Sequence, residues 1–174
     1  QCLEGDAVWA ALDPELRELA EAGVERVDKQ EGAEGGLEEL IDEPALFLLE
    51  YRDGMRAALL QPNSYGGKIR GWSYAARVEG EVQATSFNSH GNPYPHFSYL
   101  SLNAQEMFLT GAAQYPVERT LLVSGALDAL MESRFRGNAR LETPHLDVTY
   151  RPAEKPPIRP TGSKPVGAST EPMH

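Results

Sequence analysis

The apolar positions change their spacing twice along the chain, dividing it into a helical opening, a strand-rich middle and a helical second half. In the opening, Leu12, Leu16, Leu19 and Ala20 recur at helical spacing. Asp13 stands before them as an N-cap, and Pro14 takes the first helical position, where its missing N–H costs nothing. Gly23 is expected to stop this helix. Around Trp9, residues 6–11 read as a separate helical turn. From Val24 to Asp42 the periodicity is lost. That stretch is acidic, holds Gly32, Gly35 and Gly36, and reads as a mobile connection with one helical turn at 37–41.

The middle is different. Residues 45–51 and 55–60 are nearly continuous apolar runs joined by Arg52-Asp53-Gly54, a strong hairpin signal because glycine accepts the positive φ of the turn. Their apolar character predicts central strands covered on both faces. A second pair, 68–78 and 81–87, turns at Glu79-Gly80, and two such hairpins in succession predict an antiparallel meander. Residues 90–96 form a loop, set by one glycine and two prolines. A helix capped by Ser98 or Ser101 follows, through Met107, Phe108 and Leu109 to a stop at Gly111. Pro116 opens a longer one over 117–136, with Glu118 in its first turn, Arg134 and Arg136 in its last, and Gly137-Asn138 at its end. Residues 146–150 read as a closing strand. The pattern predicts an α+β fold: an open, mostly antiparallel sheet of about five to six strands with helices packed on one face. One domain is expected over 1–150, followed by a tail at 151–174 that holds six of the 13 prolines and reads as disordered or extended.

Charge narrows the partners. The formal charge is −10, and residues 1–53 hold 16 acids against 4 bases while the remainder holds 10 acids and 12 bases. An acidic half of this kind is repelled by phosphate, so neither nucleic acid nor an anionic membrane is expected as a partner. The acids themselves read as a solvated face. Cys2 is the only cysteine, which excludes a disulfide within the chain and suits a cytoplasmic setting. Gln1-Cys2-Leu3 opens the chain already in an apolar, strand-like run. The start is therefore expected to be a cut in a longer protein, with a processed mature N-terminus as the alternative.

Several stretches carry a resemblance. They are Gln1-Cys2-Leu3-Glu4-Gly5-Asp6-Ala7-Val8-Trp9, Phe47-Leu48-Leu49-Glu50-Tyr51-Arg52-Asp53-Gly54 and Glu106-Met107-Phe108-Leu109-Thr110-Gly111. To these are added Tyr115-Pro116-Val117-Glu118-Arg119-Thr120-Leu121-Leu122, Gly125-Ala126-Leu127-Asp128-Ala129 and Leu141-Glu142-Thr143-Pro144-His145-Leu146. Together they resemble the C-terminal domain of the Gfo/Idh/MocA oxidoreductase family. The resemblance implies a Rossmann domain upstream, missing from this chain, and a sheet that lines a substrate cleft and builds an oligomer interface. It implies NAD or NADP for the full-length parent, and hydride transfer to or from a sugar or cyclitol.

The chain departs from the family where chemistry is done. A dinucleotide site needs a strand, a Gly-x-Gly-x-x-Gly turn and a helix N-terminus. Gly32, Gly35 and Gly36 have the wrong spacing and are crowded by acids. Glu154-Lys155-Pro156 spells the family's Glu-Lys-Pro motif, but in a proline-rich tail where nothing is expected to hold the ammonium in place. Asp128 is followed at the fourth position by Glu132 instead of histidine, and reads as a structural ion-pair partner, with an arginine such as Arg119, or as a helix cap. No catalytic residue is carried over, no cofactor is expected on this fragment, and no metal set is completed.

The substrate-facing candidates are His90, Asn92 and His96 in one loop and His145 before the expected last strand, since imidazole both donates and accepts. Ser124 and Ser133 lack a nucleophile-elbow context. Trp72, Tyr74 and Phe87 read as sheet core or interface, and on an exposed face would suit a sugar ring or a subunit contact. The resulting expectation is a substrate-binding and oligomerisation domain of an NAD(P)-dependent sugar or cyclitol oxidoreductase, inactive in isolation. The alternatives are a non-catalytic binding or assembly module on the same scaffold and a free-standing dimer-forming α+β module.

Overall fold

The computed structural model of the chain describes residues 1–62, 67–87 and 95–152, with the backbone alone at 95 and 96. Elements follow in the order β1 (Cys2–Glu4), α1 (Asp6–Ala11), α2 (Pro14–Val24), β2 (Asp28–Lys29), α3 (Leu37–Leu40), β3 (Pro44–Glu50) and β4 (Arg56–Pro62). Then come β5 (Ile69–Arg70), β6 (Trp72–Val78), β7 (Glu81–Phe87), α4 (Pro95–Thr110), α5 (Val117–Phe135) and a 3-10 turn at Pro144–Leu146. The fold class is α+β, and every described strand pair is antiparallel. The strands divide among three small open sheets, β1-β3-β4, β2-β5 and β6-β7, so the two hairpins do not join into a single meander.

The chain forms two compact units, one from Gln1–Phe87 with Leu130–Leu141, the other from Asn88–Ala129 with Glu142–Met173. In the first, Asp13 caps α2 as expected: its carboxylate accepts from the amides of Glu15 at 3.1 Å and Leu16 at 3.0 Å. Val8, Leu12, Leu16 and Val24 from α1, α2 and their junction pack with Leu37, Leu40, Ile41 and Leu46 into the main core. The stretch expected to be a mobile connection thus supplies four buried residues, Val24 at its start and three at 37–41. Acidic neighbours hid them: Leu37, Leu40 and Ile41 turn inward while Glu38 and Glu39 face solvent.

β3 is the central strand of its sheet. Leu46 faces the main core, while Ala45 and Phe47 on its other face pack with Cys2 and Leu130. Burial on both faces explains its unbroken apolar run. β4 is an edge strand, with Ala58 and Leu59 exposed, which corrects the expectation that both strands are covered. Their loop closes by Tyr51 N–H donating to Met55 O at 2.8 Å, with Gly54 at φ 87°.

Gly23 does not end α2. It lies inside the helix, buried against β6, where a Cβ would stand 3.0 Å from Ser73 Oγ. Its small size sets the helix-to-hairpin approach. In the second unit α4 begins at Pro95, so Ser98 and Ser101 lie within the helix; Ser101 donates back to Phe97 O at 3.0 Å. Gly111, at φ 69°, ends α4 as expected. The expected strand at 146–150 is not formed. Leu146 N–H bonds Thr143 O at 2.9 Å and Val148 N–H bonds Leu146 O at 2.8 Å, which curls the segment locally, and it pairs with no described strand. The tail from Ala153 onward lies outside the described residues.

Candidate functional site: the outer face of the β6–β7 hairpin

The β6–β7 hairpin is built by alternation. Its two-residue turn holds Glu79 at φ 52° and Gly80 at φ 88°, the pair of positive φ values that matches the twist of flanking strands. Register pairs Trp72 with Phe87, Tyr74 with Thr85, Ala76 with Gln83 and Val78 with Glu81. These eight residues share one face. The other face carries Ser73, Ala75 and Arg77 and is covered by α2: Ser73 lies against Gly23, and Arg77 pairs with Glu18 and, at 3.6 Å, with Glu15.

The outer face concentrates exposed aromatic side chains. Trp72, Tyr74 and Phe87 are 50%, 63% and 55% exposed, although each is large and mostly apolar. The rings of Trp72 and Phe87 stack, with centroids 6.3 Å apart and planes 13° from parallel. Val78 extends the row, Gln83 and Thr85 supply hydrogen-bonding groups beside it, and Glu81 is its one charged residue. A flat aromatic row with a few polar neighbours can bind a planar apolar partner; it holds no proton-transfer pair.

Of the residues expected to face substrate, His145 alone has a described side chain. His90 and Asn92 lie outside the described residues. His96 is in the first turn of α4, its side chain likewise outside them, and His145 is exposed in the 3-10 turn. Asp128 is exposed on α5, so it carries none of the burial that an ion pair would offset; Arg119 instead lies over the Tyr115 ring, 5.0 Å from its centroid. Glu154, Lys155 and Pro156 are outside the described residues.

Ser133 is buried but serves the backbone: Cys2 N–H donates to its hydroxyl at 2.9 Å, and the hydroxyl donates to Ala139 O at 2.6 Å. Burial, then the nearby Glu4 carboxylate, pushes the Cys2 thiol above its ordinary range, away from a reactive thiolate. Among the described residues, no group of three His, Cys, Asp or Glu side chains is placed to hold a metal ion. No described helix is long and apolar enough to cross a membrane.

A dinucleotide fits poorly on the glycine cluster. Gly36 opens the four-residue α3, and its N–H is taken by the Glu39 carboxylate at 2.9 Å, where a phosphate would have to bind. The strand upstream, β2, is a two-residue exposed piece. Beside it, Asp28, Lys29, Gln30, Glu31 and Arg70 line an open groove of about 690 Å³ with charges of both signs.

Sequence spacing identified Trp72, Tyr74 and Phe87 but not their exposure. The missing signal is the partner of the opposite face. Small Ser73 against Gly23 shows which side the helix takes, and that pairing is visible only once α2 and β6 are in place. Compared with protein-family models, curated proteins and solved structures, the chain matches none.

Proposed function

We propose that this chain is the non-catalytic, surface-presenting C-terminal domain of a Gfo/Idh/MocA-like NAD(P)-dependent oxidoreductase of sugars or cyclitols, where it contributes binding and association while another domain holds the cofactor. What supports this reading is the half-exposed row of Trp72, Tyr74 and Phe87 on a strand pair whose other face is closed by α2. Together with the stretches that resemble the family, it favours a surface made to be covered over a site made to react. Oligomerisation through this face and a cytoplasmic location, which the free, buried Cys2 suits, belong to the same proposal.

Two measurements test it. Titration with NADH, followed by nucleotide fluorescence, is expected to show no saturable binding; saturation would overturn the division of labour. An apolar dye is expected to bind the wild-type chain, and Trp72→Gln with Tyr74→Gln is expected to remove the part of its fluorescence that comes from this face, while the part from the exposed apolar residues of α4 and α5 stays. A chain that is dye-silent and monomeric in light scattering would overturn the binding-surface reading.

A further inference from the structure

We propose that β4 pairs with β4 of a second copy of this chain, antiparallel about a two-fold axis through Leu59, which joins two three-stranded sheets into one of six strands. This goes beyond the proposed function: it concerns the edge of the β1-β3-β4 sheet, not the face of the β6–β7 hairpin.

The phase of the ladder fixes which groups of β4 point outward. Gln1 and Leu48 exchange both hydrogen bonds between β1 and β3, each at 2.8 Å. Successive residues of a strand aim their backbone groups to opposite sides. Those of Phe47 and Leu49 therefore aim at β4, and their partners Leu59 and Ala57 aim back at β3. The closing bond from Tyr51 N–H to Met55 O gives the same phase. Arg56, Ala58 and Leu60 thus hold their N–H and C=O groups away from the sheet, and none of the described residues bonds to them. Pro62 shares that outward phase, where its missing N–H costs the ladder nothing.

The two edges of this sheet are treated differently. On β1, the outward Cys2 N–H donates to Ser133 Oγ at 2.9 Å, and Gln1 Nε2 donates to Asn138 O at 3.0 Å. Pairing at β4 therefore closes at two copies and does not continue into a fibre. β4 carries none of the usual edge defences. It is seven residues long, its register with β3 runs without a bulge, and no residue from Ala57 to Gln61 is charged. Leu59 is 56% exposed, beside a Phe47 that is 7% exposed.

The occupant follows from the strand's fit to itself. With the axis at Leu59, all seven residues are paired, and Ala58 lies opposite the partner's Leu60 in a hydrogen-bonded pair. Leu59 meets the partner's Leu59 in the closer, non-hydrogen-bonded kind of pair, which covers both. The only charge, Arg56, comes opposite the partner's Pro62, roughly 20 Å from the partner's Arg56. It is already matched by Asp13 and Glu15. No like charges oppose each other. An axis at Ala58 or Leu60 would leave one end of the strand unpaired and separate the two leucines.

The test uses the full chain. Light scattering of wild type is expected to give a dimer at about 0.5 mM, since edge pairing is a small interface. Ala58→Pro removes an outward N–H and no bond to β3, so it is expected to abolish the dimer and leave the thermal melt nearly unchanged. Leu59→Lys and Leu59→Glu are each expected to weaken association about tenfold, and their mixture to recover most of it. If Ala58→Pro loses its thermal transition, these two carry the comparison. Under mild oxidation Leu59→Cys is expected to form a linked dimer, and Ala57→Cys to link only with Gln61→Cys. Cys2 lies two strands from Leu59, roughly 10 Å away and beyond disulfide reach.

A wild-type chain that stays monomeric at about 1 mM overturns the proposal and assigns the edge to a strand of another protein. A dimer that Leu59→Cys does not link, or that neither Ala58→Pro nor the Leu59 charges weaken, overturns it as well. If Trp72→Gln with Tyr74→Gln abolishes such a dimer, the association belongs to the β6–β7 face and the edge inference alone falls. Association through that face is accordingly measured in Ala58→Pro, where edge pairing does not contribute.

Discussion

Ser133 shows how one buried hydroxyl can join three parts of the chain. It accepts from Cys2 N–H on β1 and donates to Ala139 O beyond α5, so the helix end, the first strand and the following loop meet at one atom. Ser133→Ala leaves a buried N–H and a carbonyl without that partner, a loss of about 1–3 kcal/mol. Urea unfolding is expected to show it as a lower midpoint with an unchanged slope; an unmoved midpoint would mean that water replaces the hydroxyl without cost. Asp13 acts differently. The Leu16 amide first, then the Arg56 side chain, hold its carboxyl below the usual range. Glu38, beside Arg17, and Glu25, beside Lys29, are shifted the same way. A carboxyl more acidic when folded than when unfolded adds stability above its ordinary pKa of about 4, and that stability is lost as pH falls through the depressed value. These carboxyls are therefore expected to make stability fall below about pH 4. Asp13→Asn should lower the neutral plateau and flatten part of the acid slope. An unchanged slope in a pH series of thermal melts would contradict the assignment.

At the scale of elements, the contact between α2 and the β6–β7 hairpin depends on Gly23. The Cβ of alanine would meet Ser73 Oγ, which can rotate, but the two branches of valine cannot both be accommodated by one hydroxyl. Gly23→Val is expected to destabilise by about 1–3 kcal/mol and, by lifting the helix, to weaken the Arg77 pairs with Glu15 and Glu18. Gly23→Ala should cost much less, and equal effects of the two would sink the packing argument. This glycine also marks a boundary of legibility. Glycine near a helix end is usually a stop, and only the arrival of β6 shows it as a contact. Asp13, Pro14, Asp53-Gly54 and Glu79-Gly80 were readable because each acts on backbone within three residues of itself. The strand expected at 146–150 failed for the opposite reason: strands need an edge, and no local residue reports whether one is present. The aromatic row was readable as residues, but its exposure depends on where α2 lies.

Across the whole molecule, the uneven charge is an organising device as well as a solvated face. Bases from the later part of the chain reach acids of the first 53 residues repeatedly: Arg56 to Asp13 and Glu15, Arg77 to Glu15 and Glu18, Lys68 to Asp42, Arg134 to Glu4 and Arg140 to Glu50. Each pair is exposed and individually worth at most about 1 kcal/mol, so they select partners more than they supply stability. Stability comes from the buried clusters, and these belong to the first unit. In the second unit, no described side chain is buried. Phe97, Leu100, Phe108, Leu109, Val117, Val123 and Leu127 are all more than half exposed there. A helix gains most of its stability from an apolar face packed on something else, so α4 and the start of α5 should open far more easily than β3. α5 is informative because it is one continuous helix whose later residues Leu130 and Ser133 are anchored against Cys2. Hydrogen exchange is expected to be fast through α4, to slow progressively along α5 from Val117 to Phe135, and to be slowest in β3 around Leu46 and Phe47. The contrast between the ends of α5 should be at least about tenfold, equivalent to roughly 1.4 kcal/mol of opening free energy. Uniform protection along α5 would mean that its first half is held by contacts as strong as those at Ser133, and the ranking of the two units by stability would fail.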